Sequence, residues 1–223
     1  MEAWAKFPTR WIVQQKGLIS IEWRKYKSNG IAALLVLIAL AVKRNLDNKN
    51  RQAGDDASVV MATYDDIQEL VSISRIKVSK GLALLLELKV IERVENNRSS
   101  YRMVDIKTNG AWAKLPQTRL MQAGGRISVF DSFYLRSNSE LNALKVYLYM
   151  IAARNIQTGY AHISYEKITG YTGVHASKLK QAKSHLISLG LIHVEDDIEF
   201  SKEKTKPALR YKILGLPVVI RSA

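Results

Sequence analysis

The 223-residue chain is 47% hydrophobic, carries 34 Lys and Arg against 20 Asp and Glu, and has no cysteine. The apolar share excludes extended disorder and suffices for two cores, and the missing cysteine excludes disulfides and thiolate metal sites. The formal net charge of +14 comes from both halves, with 17 basic and 12 acidic residues in 1–105 and 17 and 8 in 106–223, so the attraction to polyanions does not come from one basic tail.

The opening Met-Glu-Ala-Trp-Ala-Lys has no basic region followed by an apolar run, so no signal peptide is expected. Ile31 to Val42 is an unbroken apolar run of twelve residues followed by Lys43-Arg44. A membrane span needs about 18–20 such residues. A helix apolar on every side is otherwise a core helix, and Ile31–Asn45 is predicted as one. Leu46–Asp56 is a long loop, and Ser58–Ala62 reads as a strand. Thr63 caps a helix over Tyr64–Val71, with Asp66 at the capping-box position. Ser72-Ile73-Ser74 is a turn, and Arg75–Leu88 is a longer helix with Val78, Leu82 and Leu85 on its inner side. Val90–Val94 and Tyr101–Val104 are strands around the loop Glu95–Ser100.

Lys107-Thr108-Asn109-Gly110 is a polar connector ending in glycine, and the same order of elements then returns. Leu141–Asn155 is predicted helical, and Tyr160–Ile163 extended. Ser164 caps a short helix with Glu166 in its first turn. That helix ends in Gly170-Tyr171-Thr172-Gly173-Val174. His175 to Leu189 forms a long helix with Leu179, Ala182 and Leu186 inward, and Gly190 lies just past its end. Leu191–Val194, Ile198–Phe200 and Leu209–Leu214 read as strands, with a loop over Ser201–Pro207.

The two halves also match residue by residue. Ala3-Trp4-Ala5-Lys6-Phe7-Pro8 returns as Ala111-Trp112-Ala113-Lys114-Leu115-Pro116. Ala33-Leu34, Val36 and Arg44-Asn45 return as Ala143-Leu144, Val146 and Arg154-Asn155. Tyr64 and Ile67 match Tyr165 and Ile168. Leu85, Leu88 and Ile91 match Leu186, Leu189 and Ile192, and Tyr101 matches Tyr211. The offset stays near constant, so the chain reads as an internal duplication. The expected fold is α+β and helix-rich, with units at 1–106 and 107–223. Trp4 and Trp112, at the start of their units, are expected to pin the leading peptide against each unit's first helix.

Helix, strand, short helix, turn, long helix and hairpin resemble the winged helix-turn-helix family over Tyr64–Val104 and Tyr165–Leu214. The resemblance implies two tandem winged-helix domains that bind double-stranded DNA. Unit one departs at Lys89, where the family has glycine before the wing strand. In such motifs the second helix enters the major groove with its N-terminal side chains at base edges. In unit one this implicates Ser74, Arg75, Lys77, Ser79 and Lys80, with Ile76 and Lys80 facing outward. In unit two it implicates His175, Ser177, Lys178, Lys180, Gln181 and Lys183, the last expected on the same outer face as Lys180. Arg75 or Lys80 suits guanine, and Gln181 suits adenine. Arg98 and Arg102 beside the first wing, and Lys202, Lys204, Lys206 and Arg210 at the second, suit phosphates or the minor groove.

The layout also resembles iteron-binding plasmid replication initiators. That implies sequence-specific DNA binding in replication initiation or maintenance of a plasmid or other mobile element, alongside replication machinery. A transcriptional repressor or activator of such an element is the alternative. A protein-interaction module, as in condensin accessory subunits, is the reading of another class. The chain is expected in the bacterial cytoplasm, with a homodimer left open and no membrane partner. No Walker loop, Gly-x-Ser-x-Gly elbow, paired-His motif or deaminase signature is present. Asp65-Asp66 and Glu195-Asp196-Asp197 read as a helix first turn and a polar turn. No enzyme activity, metal or cofactor is therefore expected.

Overall fold

The computed structural model describes residues 3–48, 56–95, 97–104, 106–107, 111–121, 125–196 and 209–216. Strand β1 (Ala5–Pro8) leads into three single-turn helices, α1 (Arg10–Val13), α2 (Gly17–Ser20) and α3 (Trp23–Tyr26). The long helix α4 (Ser28–Asp47) follows. Every residue from Ile31 to Val42 in it is buried. A helix apolar all round must be surrounded, and α4 meets its neighbours on several sides. Among the described residues it is the one helix long and apolar enough to cross a membrane, yet 83% of that stretch lies inside the protein.

The first unit continues with β2 (Val59–Met61), α5 (Tyr64–Leu70), α6 (Arg75–Glu87), β3 (Ile91–Arg93) and β4 (Ser100–Met103). Thr63 and Asp66 close the expected capping box on α5, and Ser74 caps α6 by accepting from the Lys77 amide. Helix α6 lies along α4. The two approach so closely at Gly81 that a Cβ there would stand 3.0 Å from the Ala32 carbonyl. The antiparallel sheet has the order β2-β4-β3.

The second unit comprises β5 (Trp112–Leu115), α7 (Gln117–Leu120), a 3-10 turn (Ser128–Phe130), α8 (Asn138–Ala153), β6 (Tyr160–His162), α9 (Tyr165–Thr172), α10 (Ala176–Ser188), β7 (Ile192–Asp196) and β8 (Leu209–Ile213). Its sheet has the matching order β6-β8-β7. Helix α8 begins nearly a turn before the expected start. Ser137 and Glu140 form a second capping box, and the buried Glu140 also accepts from the Tyr134 and Arg136 amides. The expected strand Ile198–Phe200 and loop Ser201–Pro207 fall outside the described residues. The fold class is α+β and helix-rich, with small antiparallel sheets.

The units are joined by their leading segments. Strands β1 and β5, which carry the repeated Ala-Trp-Ala-Lys sequence, pair antiparallel with Lys6 opposite Lys114. The Trp4 and Trp112 rings stack at 5.9 Å and 11°. Lys6 lies over Trp112 at 4.5 Å and Lys114 over Trp4 at 4.6 Å. Past the ribbon each chain crosses over. In one direction α1 packs on α8 and α2 on α9. In the other, the Ile127 amide donates to the Leu70 carbonyl at 2.8 Å, and Arg126 donates to Ser72. These reciprocal contacts relate the units by an approximate two-fold passing between Lys6 and Lys114. The units on either side of the 106/107 boundary share one hydrophobic cluster. The tryptophans stack on each other across the boundary, while β1 packs on α4 and β5 on α8.

Candidate nucleic-acid interface

In unit one, α5, the turn over 71–74 and α6 form a helix-turn-helix arrangement. Its second helix presents Arg75, Ile76 and Lys80 to solvent, with Ser79 half-buried. Four of the five expected residues, all but Lys80, make contacts within the protein. Arg75 pairs with Asp65 on α5 and lies over the Tyr64 ring at 5.2 Å. Lys77 is half-buried and donates to Ser28 Oγ at 2.5 Å and Asn29 Oδ1 at 2.8 Å, at the start of α4. Ser74 is exposed and spends its hydroxyl on the cap. Ser79 accepts from the Tyr64 hydroxyl at 3.5 Å. Lys80 is exposed and makes no ion pair among the described residues. Asp65 reads from the sequence only as part of a helix first turn, and Ser28 and Asn29 are not singled out there. Ser28 and Asn29 lie nearly fifty residues from Lys77, and no local pattern joins them.

In unit two, α10 carries no acidic residue. His175 caps it, with Nδ1 accepting from the Ser177 amide at 3.3 Å and lying 2.8 Å from Ser177 Oγ. Ser177, Lys178, Lys180 and Gln181 are all exposed, and neither lysine pairs with an acid among the described residues. Helix α10 therefore holds an uncompensated pair of cations beside two hydrogen-bonding side chains.

Lys183 departs from the expectation. It is 9% exposed and does not share the outer face with Lys180. Three residues beyond Lys180 the helix has turned far enough inward for Nζ to donate to the Tyr165 hydroxyl. The ammonium also lies over the Tyr165 ring at 4.5 Å and the Tyr211 ring at 5.6 Å. Burial pushes the Tyr211 hydroxyl well above its ordinary pKa, so the lysine meets a neutral aromatic face.

In the first hairpin Arg98 is exposed in the turn between β3 and β4. Arg102 is half-exposed and lies 3.6 Å from Asp56 and 3.9 Å from Glu92. On β8 Arg210 reaches Glu195 at 3.9 Å and lies over Tyr160 at 5.2 Å. Lys202, Lys204 and Lys206 fall outside the described residues. Among the described residues no group of three or more His, Asp or Glu is placed to hold a metal ion.

One further lysine matters to the shared core. Lys145 on α8 is 4% exposed and donates to the Ile21 carbonyl at 3.1 Å, against the crossing segment of unit one. Burial lowers its pKa to about 8, partly opposed by the charge of Glu22. The chain matches no protein-family model, no curated protein and no solved structure.

Proposed function

We propose that the two units are tandem winged-helix domains, and that the chain binds double-stranded DNA sequence-specifically through α6 and α10. One observation carries this reading. Each unit ends a helix-turn-helix with a capped helix whose outward side offers Lys80 in one case and Lys178, Lys180 and Gln181 in the other. A helix of this kind fits the major groove with its N-terminal residues at base edges. The sheet orders β2-β4-β3 and β6-β8-β7 leave a hairpin beside each such helix. Arg98 lies in the first hairpin, where a cation meets phosphate.

The role that fits this layout is replication initiation or maintenance of a plasmid or other mobile element. Transcriptional regulation of such an element is a second reading, favoured by the approximate two-fold between the units. Two helices so related match inverted half-sites, as paired helix-turn-helix units do. The reading assigns no catalytic step and calls for no cofactor.

The test is a gel shift of the full chain on random duplex pools at two salt concentrations, followed by footprinting of the selected site. Four phosphate contacts would weaken binding about a hundredfold between roughly 50 and 200 mM salt. No binding at low salt, or binding indifferent to salt, overturns the reading. Protection of tandem repeats at an origin supports an initiator. Protection of a single inverted repeat over a promoter supports a regulator.

A further inference from the structure

Ile76 is the most exposed large hydrophobic side chain on either candidate reading helix, at 71%, in the first turn of α6. Its neighbours in that turn are both engaged within the protein, although the Arg75 side chain stays 63% exposed. Arg75 is held by Asp65 and the Tyr64 ring, and Lys77 by Ser28 and Asn29. The outward side chains in this stretch with no partner among the described residues are Ile76 and, one turn later on the same face, Lys80. Isoleucine has no hydrogen-bonding group. In the major groove the one alkyl group on a base edge is the C5-methyl of thymine.

The equivalent positions in unit two sharpen the contrast. With Val78 aligned to Leu179, Ile76 corresponds to Ser177 and Lys80 to Gln181. Both residues of unit two are hydrogen-bonding, and both are exposed. The duplicated helices therefore present different chemistry at the same two places.

We propose that Ile76 is a specificity-determining residue that packs on a thymine methyl in the half-site read by unit one, so that the two halves of the DNA site are read by different chemistry. The inference rests on the DNA-binding reading above. Unit one selects thymine by apolar contact beside the cation of Lys80. Unit two selects by hydrogen bonds from Ser177 and Gln181.

The test begins with a duplex selected by the full chain. Each thymine in turn is then replaced by deoxyuridine, which removes the methyl and leaves the pairing edge intact. Wild-type binding should weaken about fourfold, the effect of one buried methyl, at one or two positions confined to one half-site. Ile76→Ala should bind the thymine duplex about fourfold or more weakly and lose the deoxyuridine effect at those positions. Ser177→Ala should retain it. Ile76 touches solvent, so the melting temperature of Ile76→Ala should match the wild type. Wild-type indifference to deoxyuridine at every position overturns the proposal. So does an Ile76→Ala variant that keeps the full wild-type penalty. Failure to select any duplex overturns the DNA-binding reading itself, and the proposal with it.

Discussion

Lys89 and Gly190 hold the same backbone conformation at the same place in their units, with φ of 54° and 63°. Each follows the last turn of its long helix. Lys89 donates its amide to the Leu86 carbonyl, and Val90 to Leu85, both at 3.0 Å. Gly190 and Leu191 repeat the pattern on Ile187 at 2.8 Å and Leu186 at 3.0 Å. The absent glycine of unit one has therefore not altered the junction. The lysine adopts the left-handed form at a cost of roughly 1–2 kcal/mol, offset in part by the larger entropy that glycine loses on folding.

Lys89→Gly should accordingly stabilise the protein by about 0.5–1 kcal/mol and raise the melting temperature by roughly 1–4 °C. Gly190→Ala should act in the opposite sense and more strongly. Its Cβ would stand 1.8 Å from Arg119 Nη2, and Arg119 Nε donates to the Gly190 carbonyl at 2.7 Å. Thermal melts of the two variants check both signs, and a lowered melting temperature for Lys89→Gly contradicts the strain argument.

The tryptophan clasp should behave as a coupled pair. Trp4 and Trp112 stack across the unit boundary, and each ring also carries the lysine of the opposite strand. Aromatic pairs of this kind contribute about 0.5–1.5 kcal/mol beyond their buried area. Trp4→Ala and Trp112→Ala should each destabilise, and the double variant should lose less than the sum by about 1 kcal/mol. Denaturant titrations of the four proteins measure that coupling. Strict additivity contradicts it.

Much of the fold was legible because its signals are local. Thr63 with Asp66, Ser164 and Gly190 mark helix ends within a few residues, whereas the cap at Ser74 reads only as a turn. The apolar run from Ile31 to Val42 identified the core helix, although not the partners that surround it. Ser137 and Glu140 carry an equally local signal that was passed over. What did not show was the crossing of the leading segments. The repeated Ala-Trp-Ala-Lys marks a duplication, but nothing in it says that β1 pairs with β5 rather than within its own unit. The candidate interface was legible at Lys80, Lys178, Lys180 and Gln181, where helical periodicity alone sets the outward side. It was misread at Lys183, where a long aliphatic stem lets a lysine fill a core-side position under two tyrosine rings.

Lys145 makes stability depend on pH in a defined direction. Its folded pKa, near 8, lies below the ordinary 10.5. Below pH 8 both folded and unfolded chains carry the proton, and the full penalty of a buried charge is present. Between pH 8 and 10.5 the unfolded chain binds more protons, so this contribution to stability rises with pH. Above that window the penalty is gone. Lys145→Met removes the titration and also leaves the Ile21 carbonyl without its donor, a constant loss. The stability of the variant minus that of the wild type should therefore fall by roughly 1–3 kcal/mol as pH rises from 8 to 10.5. Denaturant titrations at the two pH values measure it, and a difference that is flat with pH contradicts the assignment.

Lys183 and Lys180 separate buried from outward charge on one helix. Lys180 is exposed with no acidic partner among the described residues, whereas the Lys183 ammonium is enclosed by Tyr165 and Tyr211. If α10 meets DNA, Lys180→Ala should reduce the slope of log affinity against log salt by about one for a phosphate contact. A base contact by the same residue would instead change sequence preference at one position. Lys183→Met keeps the unbranched stem and removes the charge, so affinity and salt slope should stay within about twofold of the wild type. The cation over two rings is worth roughly 1–2 kcal/mol when desolvated, so this variant should lose stability rather than binding. Gel shifts and melts of the two variants, run on the same duplex, read both quantities. A Lys183→Met protein that keeps its melting temperature but binds tenfold more weakly contradicts the inward placement of that side chain.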